Sequence, residues 1–491
     1  MPALNFSHHI PALLVITPML GALVVGLLGL WRRRLVYPLV IITQVLFTAF
    51  AYAGLCRVLR YGTESYPMAG WPPPFGIELV MDLLSAFIIA VIATVATAVL
   101  IASRASVTLE CPKRHVAFYS LALILEMGLA GMVITGDLFN LYVFLEVASL
   151  AAYALMGLGQ ERAPLAAFRY LVLGTIGASL YLLGIGFLYV QTGSLNMADV
   201  TQILSHAPPN PIFWISLAMI VTGLGLKMAL FPMHRWLPDA YTYASSTATA
   251  LIAPLMTKIS AYAIIRMVFF IYAGAHPDAI RPVMEAVAWL SCIGIVVGSV
   301  MAMPQQDFKR MLAYSSISQI SLIGLGIGMA TPLALVGALL HILNHALMKS
   351  CLFLAASGIN LKNKQTRLSD LEGLGRRMPW TGAAITTAAL AMVGIPPTVG
   401  FFSKWYLVLA AIENQQWIYV VVILFSSLLT AVYMFRVIEL MYTKPQQQTE
   451  RDEVPWSLRL PQTALAIALL VVGAGTTWLV QHVLMKAVAH V

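Results

Sequence analysis

The 491-residue chain is 60% hydrophobic and only 10% charged, whereas soluble domains carry about 25% charged residues. This composition excludes a soluble globular domain and predicts a polytopic membrane protein. The formal charge of +9 does not indicate a nucleic-acid partner, because the basic residues lie in short loops between apolar runs, where they orient a protein in the membrane.

Apolar runs of about 20 residues predict an all-α fold with fourteen membrane-spanning helices. The first run lacks the basic start and the cleavage site of a signal peptide and precedes Arg32-Arg33-Arg34, so it predicts a retained helix. In chain order, the predicted spans cover residues 10–31, 35–55, 78–103, 116–135, 138–158, 164–190, 211–232, 246–273, 283–303, 311–329, 332–357, 381–410, 417–442 and 461–485.

The basic residues are distributed unequally between the two sides of this predicted bundle. Loops after odd-numbered spans hold most of the Lys and Arg residues, including Lys444, whereas the opposite side holds only Arg57, Arg60, Arg281 and Lys486. Loops rich in Lys and Arg face the cytoplasm. The pattern therefore predicts a plasma-membrane (inner-membrane) protein with both termini on the outer side.

Two spans are predicted to be broken helices. Pro232 follows Lys227 in span seven, and Gly394 with Pro396-Pro397 precedes Lys404 in span twelve. Proline removes a donor from the helical ladder and clashes with the preceding turn. Breaks five spans apart predict two inverted five-helix repeats. The predicted units are N-terminal spans one to three at 1–115, repeats at 116–280 and 281–442, and a cytoplasmic loop with the last span at 443–491.

Several ionisable residues lie inside the predicted spans. Each charge at mid-membrane costs about 2.5–3.5 kcal/mol on insertion scales, so such residues usually belong to an ion pathway. Three of them, His341, His345 and Lys349, are spaced four residues apart and would line one helix face over about 12 Å. These candidate proton-relay residues are Glu146, Lys227, Lys258, His341, His345, Lys349 and Lys404.

Structural interpretations of these residues stay open. The lysines could extend toward an interface, Lys349 could lie near the cytoplasmic end, and the histidines could only form interhelical hydrogen bonds. Glu126 could face Glu146 as a candidate carboxylate for proton uptake, or it could make a structural hydrogen bond. Acids near span ends are predicted to support structure, as an N-cap in the case of Asp137 and likewise for Asp82 and Asp239.

The sequence predicts no metal site, no cofactor and no catalytic site. The four cysteines have no metal-ligand or disulfide spacing, and no phosphate-binding glycine loop or nucleophile pair occurs. A purely structural subunit would leave the buried charges unexplained. An independent secondary carrier is a further alternative.

Five motifs resemble the antiporter-like subunits shared by complex I, membrane-bound hydrogenases and Mrp-type cation/proton antiporters. The resemblance extends over nearly the whole chain. It lies in Thr135-Gly-Asp-Leu-Phe-Asn-Leu-Tyr-Val-Phe-Leu-Glu146-Val147, in Lys227 with Trp236-Leu-Pro-Asp-Ala-Tyr241, in Thr257-Lys258 with Tyr262-Ala-Ile-Ile-Arg266, in His341-Ile-Leu-Asn-His345-Ala-Leu-Met-Lys349, and in Gly394-Ile-Pro-Pro with Phe401-Phe-Ser-Lys404.

The resemblance implies that Glu146 and Lys227 form an ion pair, that Lys258 and the two histidines bridge the halves, and that Lys404 ends the relay. It also implies partner membrane subunits. Lys404 stands where one complex I subunit type carries glutamate, which favours the D-type chain of an Mrp-type sodium/proton antiporter. The alternative is a proton-pumping subunit of complex I or of a hydrogenase. We expect protons to move when neighbouring charges separate a lysine from its carboxylate.

Overall fold

The computed structural model describes residues 6–159, 161–443 and 451–489. The predicted polytopic α-helical fold is confirmed: among these residues, thirteen helices are long and apolar enough to cross a membrane. Span twelve consists instead of two 15-residue half-helices, Pro379–Val393 and Val399–Glu413. The thirteen helices and this broken one together account for the fourteen predicted spans.

The first half of the chain contains a two-stranded hairpin and a series of α-helices. The strands are β1 (Glu64–Pro67) and β2 (Glu78–Met81). The helices are α1 (Ile10–Trp31), α2 (Val36–Tyr61), α3 (Leu83–Glu110), α4 (His115–Ile134), α5 (Leu138–Gly157), α6 (Ala163–Thr192), α7 (Met197–Ser205), α8 (Pro211–Met228), α9 (Trp236–Tyr243) and α10 (Ser246–Ile265).

The second half begins where a π-helical turn, Arg266–Tyr272, continues α10. The remaining helices are α11 (Ala273–Ala275), α12 (Arg281–Ala302), α13 (Phe308–Gly328), α14 (Pro332–Asn363), α15 (Leu374–Arg377), α16 (Pro379–Val393), α17 (Val399–Glu413), α18 (Trp417–Thr443), α19 (Trp456–Ala474), α20 (Thr476–Leu479) and α21 (Met485–Ala487). A second π-helical turn, Val480–Leu484, lies between the last two.

The start of span three differs from the prediction. Residues 78–81 form β2, which pairs antiparallel with β1, and the helix begins only at Leu83. Asp82 sets this boundary because its side chain accepts a hydrogen bond from Ser85 N while the Ser85 side chain accepts one from Asp82 N, a reciprocal cap. We call the side of the bundle that carries this hairpin the hairpin side.

Both predicted helix breaks are present, and the positions of the prolines determine where each helix ends. α8 ends at Met228, four residues before Pro232, and α16 ends at Val393, four residues before Pro397. The proline ring clashes with the carbonyl four residues earlier and offers it no N–H. Ala229 and Gly394 then take left-handed backbone conformations, with φ of 65° and 90°, which turn the chain out of each helix.

Three helices form the buried centre of the bundle. The most apolar stretch of α10 is entirely buried, and α13 and α14 are nearly so. α14 packs against α10, α13, α16, α17 and α19. Since α10 and α14 carry most of the predicted relay residues, those residues lie in the protein interior and not on the face toward lipid. The boundaries of the two inverted repeats and of the four units stay predictions, and Lys444 lies outside the described residues.

Candidate functional site

Lys227 lies at the end of the first broken helix and binds a cluster of polar groups on α5. Its Nζ donates to Glu146 Oε1 at 3.2 Å, Ser149 Oγ at 2.7 Å and Tyr153 OH at 3.1 Å. The lysine side chain is 0% exposed, whereas that of Glu146 is 22% exposed. The predicted ion pair is therefore formed. Glu146 reaches the protein surface, whereas Lys227 is completely buried.

Aromatic rings hold this pair in place from the side of α6 and α9. Tyr153 meets Tyr170 edge to face at 4.5 Å, and Tyr170 stacks on Trp236 at 3.8 Å. Trp236 donates from its indole nitrogen to Leu226 O at 3.2 Å, next to Lys227 in the chain. The stacked rings thus connect Leu226 and Trp236, which lie on opposite sides of the helix break, to Tyr153, whose hydroxyl binds Lys227.

Gly174 on α6 lets Tyr153 reach Lys227, and its substitution gives a test without any change of charge. A methyl group at position 174 would overlap the Tyr153 hydroxyl. We expect Gly174→Ala to displace that hydroxyl and lower proton translocation about fivefold, the effect of losing one hydrogen bond of about 1 kcal/mol. The measurement is proton flux in vesicles that contain the assembled complex.

Gly186 provides the matched control on the same helix, because a methyl group there meets no described atom within 4 Å. Gly186→Ala should leave the flux unchanged. Equal fluxes for Gly174→Ala and Gly186→Ala would show that the Tyr153 hydroxyl has no part in proton transfer.

Lys258 occupies the interior of α10. Its Nζ donates to Ala253 O at 2.6 Å and to Thr257 Oγ1 at 2.9 Å, and the residue is 1% exposed. Both acceptors belong to its own helix, and no salt bridge to Lys258 occurs among the described residues. Burying an ammonium this deep without a counter-charge among the described residues is energetically costly.

The predicted face of α14 is buried along its whole length. His341, His345 and Lys349 are each 0% exposed. His341 Nδ1 lies 2.9 Å from Ser403 Oγ, the residue before Lys404, so this histidine links α14 to the second broken helix. Lys349 donates to Leu312 O at 2.8 Å and to Ser315 Oγ at 2.5 Å on α13. The structure therefore places Lys349 in the interior and not at the end of its span.

Lys404 lies on the far side of the second break and binds the end of α16. Its Nζ donates to Met392 O at 2.9 Å, Val393 O at 3.0 Å and Ser427 Oγ at 3.0 Å. Those two carbonyls are the ones whose ordinary partners, four residues later, are Pro396 and Pro397, which have no N–H. Lys404 thus supplies the missing donors at the negative end of the half-helix.

Many polar atoms near these residues are buried without a protein partner in the described part of the chain. Buried polar groups in native proteins normally bond to protein or to ordered water. Apart from Ser291 on α12, the atoms lie on the three central helices α10, α13 and α14, and water or a moving proton can supply their missing bonds. They include His341 Nε2, His345 Nδ1 and Nε2, Asn344 Oδ1 and Nδ2, Gln319 Oε1 and Nε2, Thr247 Oγ1, Ser291 Oγ and Ser321 Oγ.

Glu126 lies apart from this line of residues. It is 2% exposed, and its Oε1 accepts from Gln44 Nε2 on α2 at 2.9 Å. No described hydrogen bond or salt bridge joins it to Glu146, whose partner is Lys227. A role of Glu126 in proton uptake stays a prediction. Its hydrogen bond with Gln44 is a contact of the kind expected for the alternative, a structural role.

The acids at the span ends make structural contacts. Asp137 caps α5 through Asn140 N at 2.7 Å, and Asp239 pairs with Arg169 at 3.1 Å. Asp82 pairs with Arg266 at 2.6 Å. Burial acts to raise the pKa of Asp82, but the charge and hydrogen bonds of Arg266 outweigh it, and the pKa is lowered.

Sequence reasoning missed the hydroxyl groups that bind the relay lysines. Ser149 and Tyr153 follow Glu146 at i+3 and i+7, so helical periodicity alone places all three on one face of α5. That spacing was a usable signal for the Lys227 site. Ser315 and Ser427 lie on helices distant in sequence from the lysines they bind, and only the packing of those helices identifies them.

Comparison with known proteins places these features in a family. Residues 135–430 match the family model described as NADH:quinone oxidoreductase/Mrp antiporter, TM. The chain is 43% identical to the N chain of the NADH-quinone oxidoreductase of Desulforudis audaxviator, over 98% of this chain and 99% of that protein. It is 31% identical to the D chain of the Na(+)/H(+) antiporter of Alkalihalophilus pseudofirmus, over 90% and 91% of the two proteins.

The fold is also similar to a solved structure. A chain of the membrane-bound sulfane sulfur reductase, an archaeal respiratory membrane complex, superposes with a TM-score of 0.91 at 32% identity. The superposition covers 98% of this chain and 97% of that one. The likeness therefore includes the helices before and after the region that the family model matches.

Proposed function

The chain belongs to the NADH:quinone oxidoreductase/Mrp antiporter family, and we propose that it carries protons across the membrane as one subunit of a multisubunit complex. The protons pass along Glu146, Lys227, Lys258, His341, His345, Lys349 and Lys404. The candidate membrane spans and the family match support a multi-pass, antiporter-like membrane subunit. The route along these residues is the part that we propose.

One observation carries this proposal: a buried ammonium, Lys227, is paired with a carboxylate that contacts the surface, Glu146. Glu146 reaches the protein surface within the membrane-spanning α5, where a partner subunit of the complex can exchange a proton with it, while Lys227 reaches only groups inside the protein. Breaking a buried ion pair leaves an uncompensated charge that is costly. Separation of the pair therefore favours release of the lysine proton toward the interior.

The interior then offers groups that can both accept and donate protons. Among the described residues, Lys258 on α10 has no counter-charge, and α14, which packs against α10, presents both histidines with ring nitrogens that have no hydrogen-bond partner. A neutral imidazole has one donor and one acceptor nitrogen, so it can pass a proton on. His341 reaches Ser403, and Lys404 follows as the last group of the proposed route.

Two energy sources for this movement are candidates. Identity of 43% to a chain of an NADH-quinone oxidoreductase over nearly the full length of both proteins favours a redox-driven complex. Identity of 31% to a chain of a Na(+)/H(+) antiporter favours exchange of protons for sodium. This is the function that the sequence analysis preferred, and it stays a prediction. We place the redox-driven complex first because the identity is higher and the alignment longer.

The experiment isolates the complex through an affinity tag on this chain and reconstitutes it in sealed vesicles with a pH-sensitive dye inside. Proton movement is measured once with an electron donor and acceptor, and once with a sodium gradient alone. We expect movement in the first condition only. Movement with sodium alone would support the antiporter instead. No proton movement in either condition would reject proton translocation by this complex.

Orientation is a further part of the proposal. The basic loops support a plasma-membrane location with both termini outside, since such loops face the cytoplasm. The hairpin then lies on the outer side, because it connects α2 to α3, and the basic segment Arg32-Arg33-Arg34 lies at the other end of α2. Reaction of single introduced cysteines with an impermeant reagent in intact cells tests this orientation.

A further inference from the structure

Tyr262 and Arg266 belong to a family-like motif that the proposed proton route does not use. Together with Lys258 they occupy positions i, i+4 and i+8 of α10 and its continuation, so they line one helix face over about 12 Å. The face runs from the buried centre of the bundle toward the hairpin side. Arg266 opens the π-helical turn Arg266–Tyr272, a feature often found at functional positions.

The guanidinium of Arg266 is held rigidly. It donates to both carboxylate oxygens of Asp82, at 2.6 and 2.9 Å, and twice to Tyr262 OH, at 2.8 and 3.1 Å. It also lies 4.4 Å from the ring centre of Phe270, within cation–π distance. Its side chain is 12% exposed. The cation is therefore fixed in one place, between the bundle centre and the surface.

A cavity of about 180 Å³ reaches this cation from the hairpin side. Glu78 of β2, Thr135, Met197, Arg266 and Phe270 are among the residues that line it. Glu78 accepts hydrogen bonds from Asn196 at 2.6 Å and from Ser65 at 2.5 Å. Polar groups thus extend inward from this side as far as Arg266, and Lys258 lies two helical turns beyond it.

The hydrogen-bond chemistry of Arg266 is unsuited to passing a proton. Proton transfer along a chain of groups requires that each can accept as well as donate, whereas a guanidinium has five donors, no acceptor and no neutral form in proteins. The Tyr262 hydroxyl cannot donate its proton toward Arg266 or Lys258, because it already donates to Val133 O at 2.6 Å. The positive charge of the guanidinium also repels a hydronium or metal cation beside it, and the carboxylate of Asp82 offsets part of this repulsion.

We propose that Arg266, positioned by Asp82 and Tyr262, is an electrostatic barrier that separates Lys258 from the cavity on the hairpin side. It prevents protons from crossing through the first half alone and so directs them from Lys258 toward α14 and Lys404. The inference rests on the proposed function, since it assigns the direction in which the relay can deliver its protons.

The test measures passive proton conductance of the reconstituted complex, without electron donor and without sodium. A potassium diffusion potential set with valinomycin drives protons, and an internal pH dye reports their movement. Arg266→Gln removes the charge and introduces an amide that can accept a hydrogen bond. We expect its conductance to exceed the wild-type value at least about tenfold. Arg266→Lys keeps a cation but replaces the guanidinium with an amine that can exist in a neutral form, so we expect its conductance to lie between those of the wild type and Arg266→Gln.

A second substitution distinguishes a barrier from a mere structural tie between α3 and α10. In the double variant Arg266→Gln with Lys258→Ala, the conductance should return to the wild-type level, because the leak passes through Lys258. A leak that persists in the double variant, or no leak in an assembled Arg266→Gln complex, overturns the proposal.

Assembly is checked by copurification of the partner subunits. If Arg266→Gln does not assemble, Tyr262→Phe removes one support of the guanidinium and should give a smaller leak that also depends on Lys258; absence of that leak overturns the proposal. Driven transport provides a separate readout. If wild-type and Glu146→Gln complexes translocate equally when driven, the proposed function is wrong, whatever the passive conductance of the Arg266 variants.

Discussion

Replacing Lys227 with alanine is expected to reduce driven proton translocation about 100-fold, the scale on which a positioned proton donor or acceptor contributes. The substitution removes the only cation within salt-bridge distance of Glu146 among the described residues and leaves Ser149 and Tyr153 without their shared donor. Without its cation, Glu146 can become neutral by taking up a proton, so the complex should still assemble. Proton flux is measured in vesicles, with copurification as the measure of assembly.

Lys227→Arg is the decisive companion variant. Arginine keeps the positive charge and the ion pair with Glu146, but it does not release its proton in a protein. A relay role predicts that Lys227→Arg assembles and is nearly as inactive as Lys227→Ala. Substantial translocation by Lys227→Arg would mean that the lysine contributes only its charge, and the proposed transfer through it would be wrong.

Replacing Lys404 with methionine is expected to lower translocation by a similar factor of about 100 and to weaken the second broken helix. The variant loses the last proton-accepting group of the proposed route and also uncaps two carbonyls at the end of α16. Unsatisfied buried acceptors cost about 1–3 kcal/mol each. We therefore expect a lower midpoint temperature for the complex in addition to the loss of flux.

Two control variants separate these effects at Lys404. Ser427→Ala removes only one acceptor of the ammonium and should leave most of the flux. Lys404→Gln has no ionisable group, but its amide can still donate hydrogen bonds to the carbonyls at the end of α16. It should be more stable than Lys404→Met and equally inactive. Equal stability of the two variants would contradict the capping role derived from the structure.

The sequence determined the membrane class, the number of spans and the two helix breaks. Apolar runs long enough to cross a bilayer can be counted without a structure, and a proline ends its helix through its own ring and missing N–H. The residues of the buried line were also predictable, because a charged group in an apolar run is conspicuous. Even the ends of α8 and α16 follow from the positions of Pro232, Pro396 and Pro397.

The tertiary structure alone decided which groups these residues contact. Lys227 meets α5, Lys349 meets α13, and Lys404 meets both α16 and α18. It also decided that Glu126 faces Gln44 and that Arg266 faces Asp82, 184 positions away in the chain. The physical reason is that apolar spans resemble one another in hydropathy, while their neighbours and rotations are set by the close packing of small residues and side chains between helices.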